Sequence, residues 1–166
     1  MNIHAIQVKT GGEDYFVHCF SCKNADKHFG YKFHFPKRKL TERFSGKTSM
    51  VEKPVFPGYL FVEADEIDIW LFKNVYGFIR FLNSNEDIKS LSGNDLQTVN
   101  HFIRHTGISK VTFDENKRIV VLEGALKGLE GQIVKVDKRK GRAKVKLDLY
   151  DDSFTIDLAF EAIGTA

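Results

Sequence analysis

The alternation of apolar and polar positions sets the element order. Ile3-His4-Ala5-Ile6-Gln7-Val8 alternates as a half-buried strand does, with Ile6 and Val8 on one face, and Gly11-Gly12 ends it. From Glu13 to about Lys27 the spacing turns helical, because Phe16, Cys19, Phe20 and Lys23 stack at three- and four-residue steps. Glu13 and Asp14 at its start and Lys27 near its end suit the helix dipole. Tyr31 to Arg43 reads as extended, Ser45-Gly46-Lys47 as a turn and Thr48 to Lys53 as a second arm, which makes a hairpin. Val55-Phe56-Pro57-Gly58-Tyr59-Leu60-Phe61-Val62-Glu63 is a corner followed by a strand. Pro57 fixes its own φ and biases Phe56 to extended backbone, Gly58 permits a turn, and the apolar run after it is long enough for a buried strand. A helix is expected from Asp65 to about Asn74, carrying Ile67, Trp70 and Leu71. Gly77 to Leu82 is a further strand, broken at Asn83-Ser84-Asn85. Ser92 or Asn94 then caps a helix whose one face holds Leu96, Val99, Phe102 and Ile103.

Beyond His105 the texture changes. Ile119 to Leu122, Gly131 to Val136, Ala143 to Leu147 and Phe154 to Leu158 are short strands, punctuated by Gly124, Gly128, Gly131 and Gly141. No helix fits there, and closely spaced strands with glycine turns predict a small β-barrel. Two domains are expected, over 1–106 and 115–166, with a linker at 107–114. The fold class is α+β: an α/β sandwich on an antiparallel sheet, then the barrel.

Composition adds limits. Of 166 residues, 42% are hydrophobic and 28% charged, enough for packed cores and against global disorder. The net charge of +3 says little about a nucleic-acid partner, so any electrostatic argument rests on local clusters. The chain has neither an apolar run of membrane-spanning length nor a signal-peptide pattern, and its two cysteines point to a reducing, cytoplasmic setting.

The chemistry-bearing residues form no catalytic constellation, and the expectation is a non-enzyme without metal or cofactor. Cys19-x-x-Cys22 has His18 and His28 nearby but no second pair. It reads as two small helix residues before it reads as a redox or zinc motif. Two basic clusters stand out, Lys37-Arg38-Lys39 in the hairpin and Lys135, Lys138, Arg139, Lys140, Arg142, Lys144 and Lys146 on one barrel hairpin. Each is either a non-specific phosphate surface or a solvated face.

Two motifs carry a family resemblance. FPGYLFVEAD, from Phe56, resembles the signature of the N-terminal domain of NusG-type transcription elongation factors. The run from Val121 to Ile133, with Gly124 and Gly131 bracketing a loop and Ile133-Val134 after it, resembles the KOW motif that opens the SH3-like barrel of the same family. Leu149 to Leu158 resembles that barrel's last hairpin. Gly77-Phe78-Ile79 is followed by Arg80 where housekeeping members usually have glycine, and this is more similar to specialised paralogues such as RfaH and LoaP. The resemblance implies a monomeric factor that docks on the clamp of bacterial RNA polymerase through Phe56 and Tyr59, helped by Phe81, with Leu60 and Val62 facing the core. It implies nucleic-acid contact, to upstream DNA or nascent RNA, by Lys37, Arg38, Lys39, Lys138, Arg139, Lys140 and Arg142. It further implies that Leu126 and Tyr150 meet a ribosomal protein or Rho, although the Asp151-Asp152 loop is acidic where housekeeping members tend to have Gly-Arg. Three functions follow: a specialised antiterminator, a housekeeping elongation factor, or an RNA-binding module acting through the barrel. For the barrel, β-branched, glycine-punctuated text favours strands throughout over a helical alternative.

Overall fold

The computed structural model describes residues 2–25, 30–82, 86–150 and 152–164. Lys27, His28, the break at Asn83-Ser84-Asn85 and Asp151 lie outside the described residues. The elements in chain order are β1 (Asn2–Val8), α1 (Glu13–Lys23), β2 (Lys32–His34), β3 (Lys37–Phe44), β4 (Lys47–Pro54), β5 (Tyr59–Ala64), α2 (Ile69–Lys73), β6 (Phe78–Phe81), α3 (Gly93–Arg104), β7 (Ser109–Phe113), β8 (Ile119–Glu123), β9 (Ile133–Asp137), β10 (Arg142–Leu149) and β11 (Asp152–Ala162). They fall into two compact units, Met1–Phe35 with Phe56–Leu96, and Pro36–Val55 with Gln97–Ala166.

The first unit is built on an antiparallel sheet in the order β2-β5-β1-β6. One face carries Ile6, Val8, Leu60, Val62, Ala64 and Phe81, and α1 and α2 cover it with Phe16, Phe20 and Phe72. Phe72 sits edge-on to Phe81 with ring centroids 5.0 Å apart, a preferred aromatic geometry. On β5 the neighbouring Phe61 is also fully buried, and Phe56 packs edge-on against it at 5.4 Å. Burial on both faces is why this strand reads as an unbroken apolar run rather than an alternation. The helices are shorter than their spacing predicts. Asn24 ends α1 by turning its side chain back to the Phe20 carbonyl (2.9 Å). Asp68, rather than Asp65, begins α2, because its carboxylate caps the Trp70 N–H (3.1 Å).

The second unit joins the β3–β4 hairpin to a five-stranded sheet in the order β8-β7-β11-β10-β9. The hairpin closes through Ser45 and Gly46, both at positive φ (50° and 78°), the backbone of a tight two-residue turn. All pairings in the five-stranded sheet are antiparallel except β11 with β7. On β10 the alternation is regular: Ala143, Val145, Leu147 and Leu149 are buried, while Lys144, Lys146 and Asp148 are exposed.

The segment expected as a linker is corrected here, since 109–113 is strand β7. Its text looks weak because a serine takes a core position. Ser109 is fully buried, and its hydroxyl accepts the Leu126 N–H (2.9 Å), which satisfies a donor that a methyl group would leave stranded. Gly124 makes that contact possible: a Cβ there would lie 2.5 Å from the Ser109 Cα.

Candidate functional site

The Pro57-Gly58 corner is tied down from two sides. The Gly58 N–H donates to the buried Glu13 carboxylate at the start of α1 (2.7 Å), and the Gly58 carbonyl accepts the Val8 N–H (2.8 Å). Gly58 has φ +83°, and a Cβ there would lie 2.8 Å from Thr10 Oγ1, so a side chain is excluded by backbone and by space together. The corner delivers Tyr59 half-exposed, opposite Gln7 on β1.

The aromatics expected to share one docking surface are divided by the fold. Phe81 is 1% exposed and belongs to the core beneath α1 and α2, so its expected place on a docking surface is corrected. Phe56 is 2% exposed and packs against Phe61, so its ring is core and not an open contact. Leu60 and Val62 face the core as expected.

An aromatic cluster that the sequence reading missed lies elsewhere on this unit. Tyr15 on α1 and Tyr76 before β6 are both mostly exposed and meet edge to face at 6.3 Å. The Lys9 ammonium stands over the Tyr76 ring and 3.3 Å from its hydroxyl. On the adjacent strands the Arg80 Nε donates to Gln7 Oε1 (3.1 Å). Tyr15 lies off the buried Phe16–Phe20 stripe of α1 and is mostly exposed, which is a signal, but its pairing with Tyr76 spans too much chain for any spacing rule.

The basic residues also separate. Arg38 is half-buried, and its guanidinium donates to the Pro54 carbonyl (3.4 Å) and to the Asp157 carbonyl. Burial pulls its pKa down from the usual value. Arg142 donates to the Thr41 carbonyl and lies 4.0 Å from the Asp157 carboxylate. Both arginines are committed to holding β3 against the barrel strands, which corrects the expectation that they project to nucleic acid. Lys39, Arg139 and Lys140 are exposed and Lys37 is half-exposed. Lys138 places its ammonium over the Phe113 ring at 4.1 Å.

On the barrel, Leu126 is fully buried, so it supports the surface rather than forming it. Tyr150 is half-exposed at φ +50°. In the first unit, Cys19 packs against the core while Cys22 is exposed with its sulfur 3.7 Å from His18 Nε2, and no cluster of three metal-ligating side chains occurs among the described residues. No helix among them is long and apolar enough to cross a membrane.

Comparison with known proteins accords with this architecture. A solved structure of Thermotoga maritima NusG, reported for its domain interaction, superposes with a TM-score of 0.55 at 14% identity, covering 95% of this chain and 93% of that one, a likeness of fold. The transcription termination/antitermination protein NusG of Rickettsia felis is 27% identical over 130 residues, 75% of this chain and 67% of its own. The Bacillus subtilis protein of that name is 25% identical over 137 residues, 77% of this chain and 76% of its own. The profile of the family described as transcription termination factor nusG matches residues 4–100, more than half of the chain, and the chain therefore belongs to the NusG family.

Proposed function

We propose that this protein is a transcription elongation factor that binds the clamp of bacterial RNA polymerase and suppresses pausing and termination, as a specialised antiterminator. It acts as a cytoplasmic monomer without catalysis. The observation that carries the docking reading is the corner itself: Glu13 and Val8 hold Gly58 so that Tyr59 emerges at a fixed angle, with Phe56 and Phe61 packed behind it. A rigid, partly exposed tyrosine loses little conformational entropy on binding and is a residue type that dominates interfaces.

The mechanism follows from linkage. A ligand with tenfold preference for the closed clamp shifts that equilibrium by about 1.4 kcal/mol, and paused states become less populated. Lys37 and Lys39 on β3 are assigned to upstream DNA. Within the first unit, the exposed Tyr15–Tyr76 pair with Lys9 offers a stacking and phosphate surface of its own for nucleic acid. Arg80, held by Gln7 where housekeeping members usually have glycine, favours the specialised role. The barrel, on the same chain, brings a second partner such as a ribosomal protein or Rho to high effective concentration, with Tyr150 as its contact.

The test is Tyr59→Ala in a polymerase pull-down and a pause-site transcription assay, with circular dichroism as the control for folding. Loss of binding with the fold intact is expected; unchanged binding would overturn the docking reading. Chromatin occupancy separates the specialist, at one locus, from the housekeeping factor, at most transcribed genes.

A further inference from the structure

We infer that the outer face of β9 and β10 is a phosphate-binding site for single-stranded RNA. A cavity of about 110 Å3 lies there, lined by Lys135, Asp137, Lys140, Arg142, Lys144 and Asp157. Its lining includes a like-charge pair, because Lys144 stands directly across from Lys135 in the β9–β10 register, with Asp157 across from Lys144 on the other side. Like charges directly opposite on one sheet face cost stability; Asp157 offsets part of that cost at Lys144, and an anion seated between the two lysines lowers it further. Among the described residues neither lysine makes an ion pair with a carboxylate.

Two of the other lining groups are already committed. Arg142 holds the Thr41 carbonyl, and the Asp137 carboxylate accepts the Lys140 N–H (3.0 Å), which holds its pKa below the usual carboxylate value. The anion is therefore left to Lys135, Lys144 and the exposed Lys140. This differs from the arrangement that the charge run implies. The contact centres on the strand residues Lys135 and Lys144 with Lys140 alone from the turn, whereas Lys138 at the crown is stacked on Phe113.

Two features favour RNA. A recess of this size takes one phosphate and its sugar, as a flexible single strand can present them, not the continuous backbone of a duplex. Asp157 pairs across from Lys144 on the other side of β10 and sets an acceptor beside the cations. A carboxylate repels phosphate but accepts a hydrogen bond from a ribose 2′-hydroxyl, which deoxyribose lacks.

The experiment is fluorescence anisotropy of the 166-residue chain with an unstructured RNA of about 12 nucleotides and the DNA of the same sequence, over a salt series. Wild type is expected to bind the RNA more tightly than the DNA. Lys135→Gln/Lys144→Gln should weaken RNA binding roughly tenfold at low salt and flatten the salt dependence by about 0.7 in log–log slope, one phosphate contact. Lys138→Gln should keep wild-type affinity, and Asp157→Ala should narrow the preference for RNA over DNA. All four changes are to side chains on the unit's surface, and circular dichroism verifies folding. Equal binding of RNA and DNA, or a double variant that binds like wild type, would overturn the inference. The polymerase pull-down is independent of this site, so failure here leaves the docking reading standing, and the reverse.

Discussion

Replacing Gly58 with alanine probes the corner on which the docking reading depends. Two penalties add. Holding a residue with a Cβ at φ +83° costs about 1–2 kcal/mol relative to glycine. The new Cβ would also lie 2.8 Å from Thr10 Oγ1, and moving that hydroxyl off its rotamer adds about 0.5–1.5 kcal/mol. A loss of about 1.5–3.5 kcal/mol is expected, a drop of roughly 3–14 °C in Tm for a chain of this length. Urea unfolding followed by circular dichroism measures it. Thr10→Ala removes the oxygen but keeps its Cβ, 3.9 Å away, so the double variant should recover the steric part and retain the backbone part. Strict additivity of the two changes, or a Gly58→Ala protein as stable as wild type, would refute the argument that space and backbone both exclude a side chain.

Two further outcomes are expected. Phe56→Ala removes a ring that is 2% exposed and should cost about 3–5 kcal/mol, read by denaturation, in contrast to Tyr59→Ala, which should change stability little. His4 is 5% exposed, and burial holds its pKa below the ordinary 6.5 despite the backbone of Ala64 and Lys89 nearby. The unfolded chain then takes up a proton near pH 6.5 that the folded chain resists. Its contribution is intact above that pH and is lost as pH falls from there through the folded-state value. Thermal unfolding from pH 8 to 5 should show this loss in wild type and a shallower one in His4→Gln; equal slopes would remove His4 as the cause.

Local rules are enough to read much of this protein. The apolar alternation of β10, the continuous run of β5 and the Ser45-Gly46 turn each state their structure in neighbouring residues, because strand pleat and turn backbone are properties of a few residues; β1 reads as a half-buried alternation, yet Ile3, His4, Ala5 and Ile6 are all buried. What the tertiary structure decided are facts about which distant residues meet. Ser109 becomes a core residue only because Leu126 needs an acceptor, so β7 was hidden in text that reads as a linker. Phe56 and Phe81 are aromatic like Tyr59, and only the packing of Phe61 and Phe72 against them shows that they are interior. Arg38 and Arg142 look like members of a phosphate-binding cluster until the carbonyls of Asp157 and Thr41 engage them. Charge and apolarity are written residue by residue along the chain, but whether a side chain is spent inside the protein or left for a partner depends on contacts between residues far apart in sequence, and those exist only once the chain has folded.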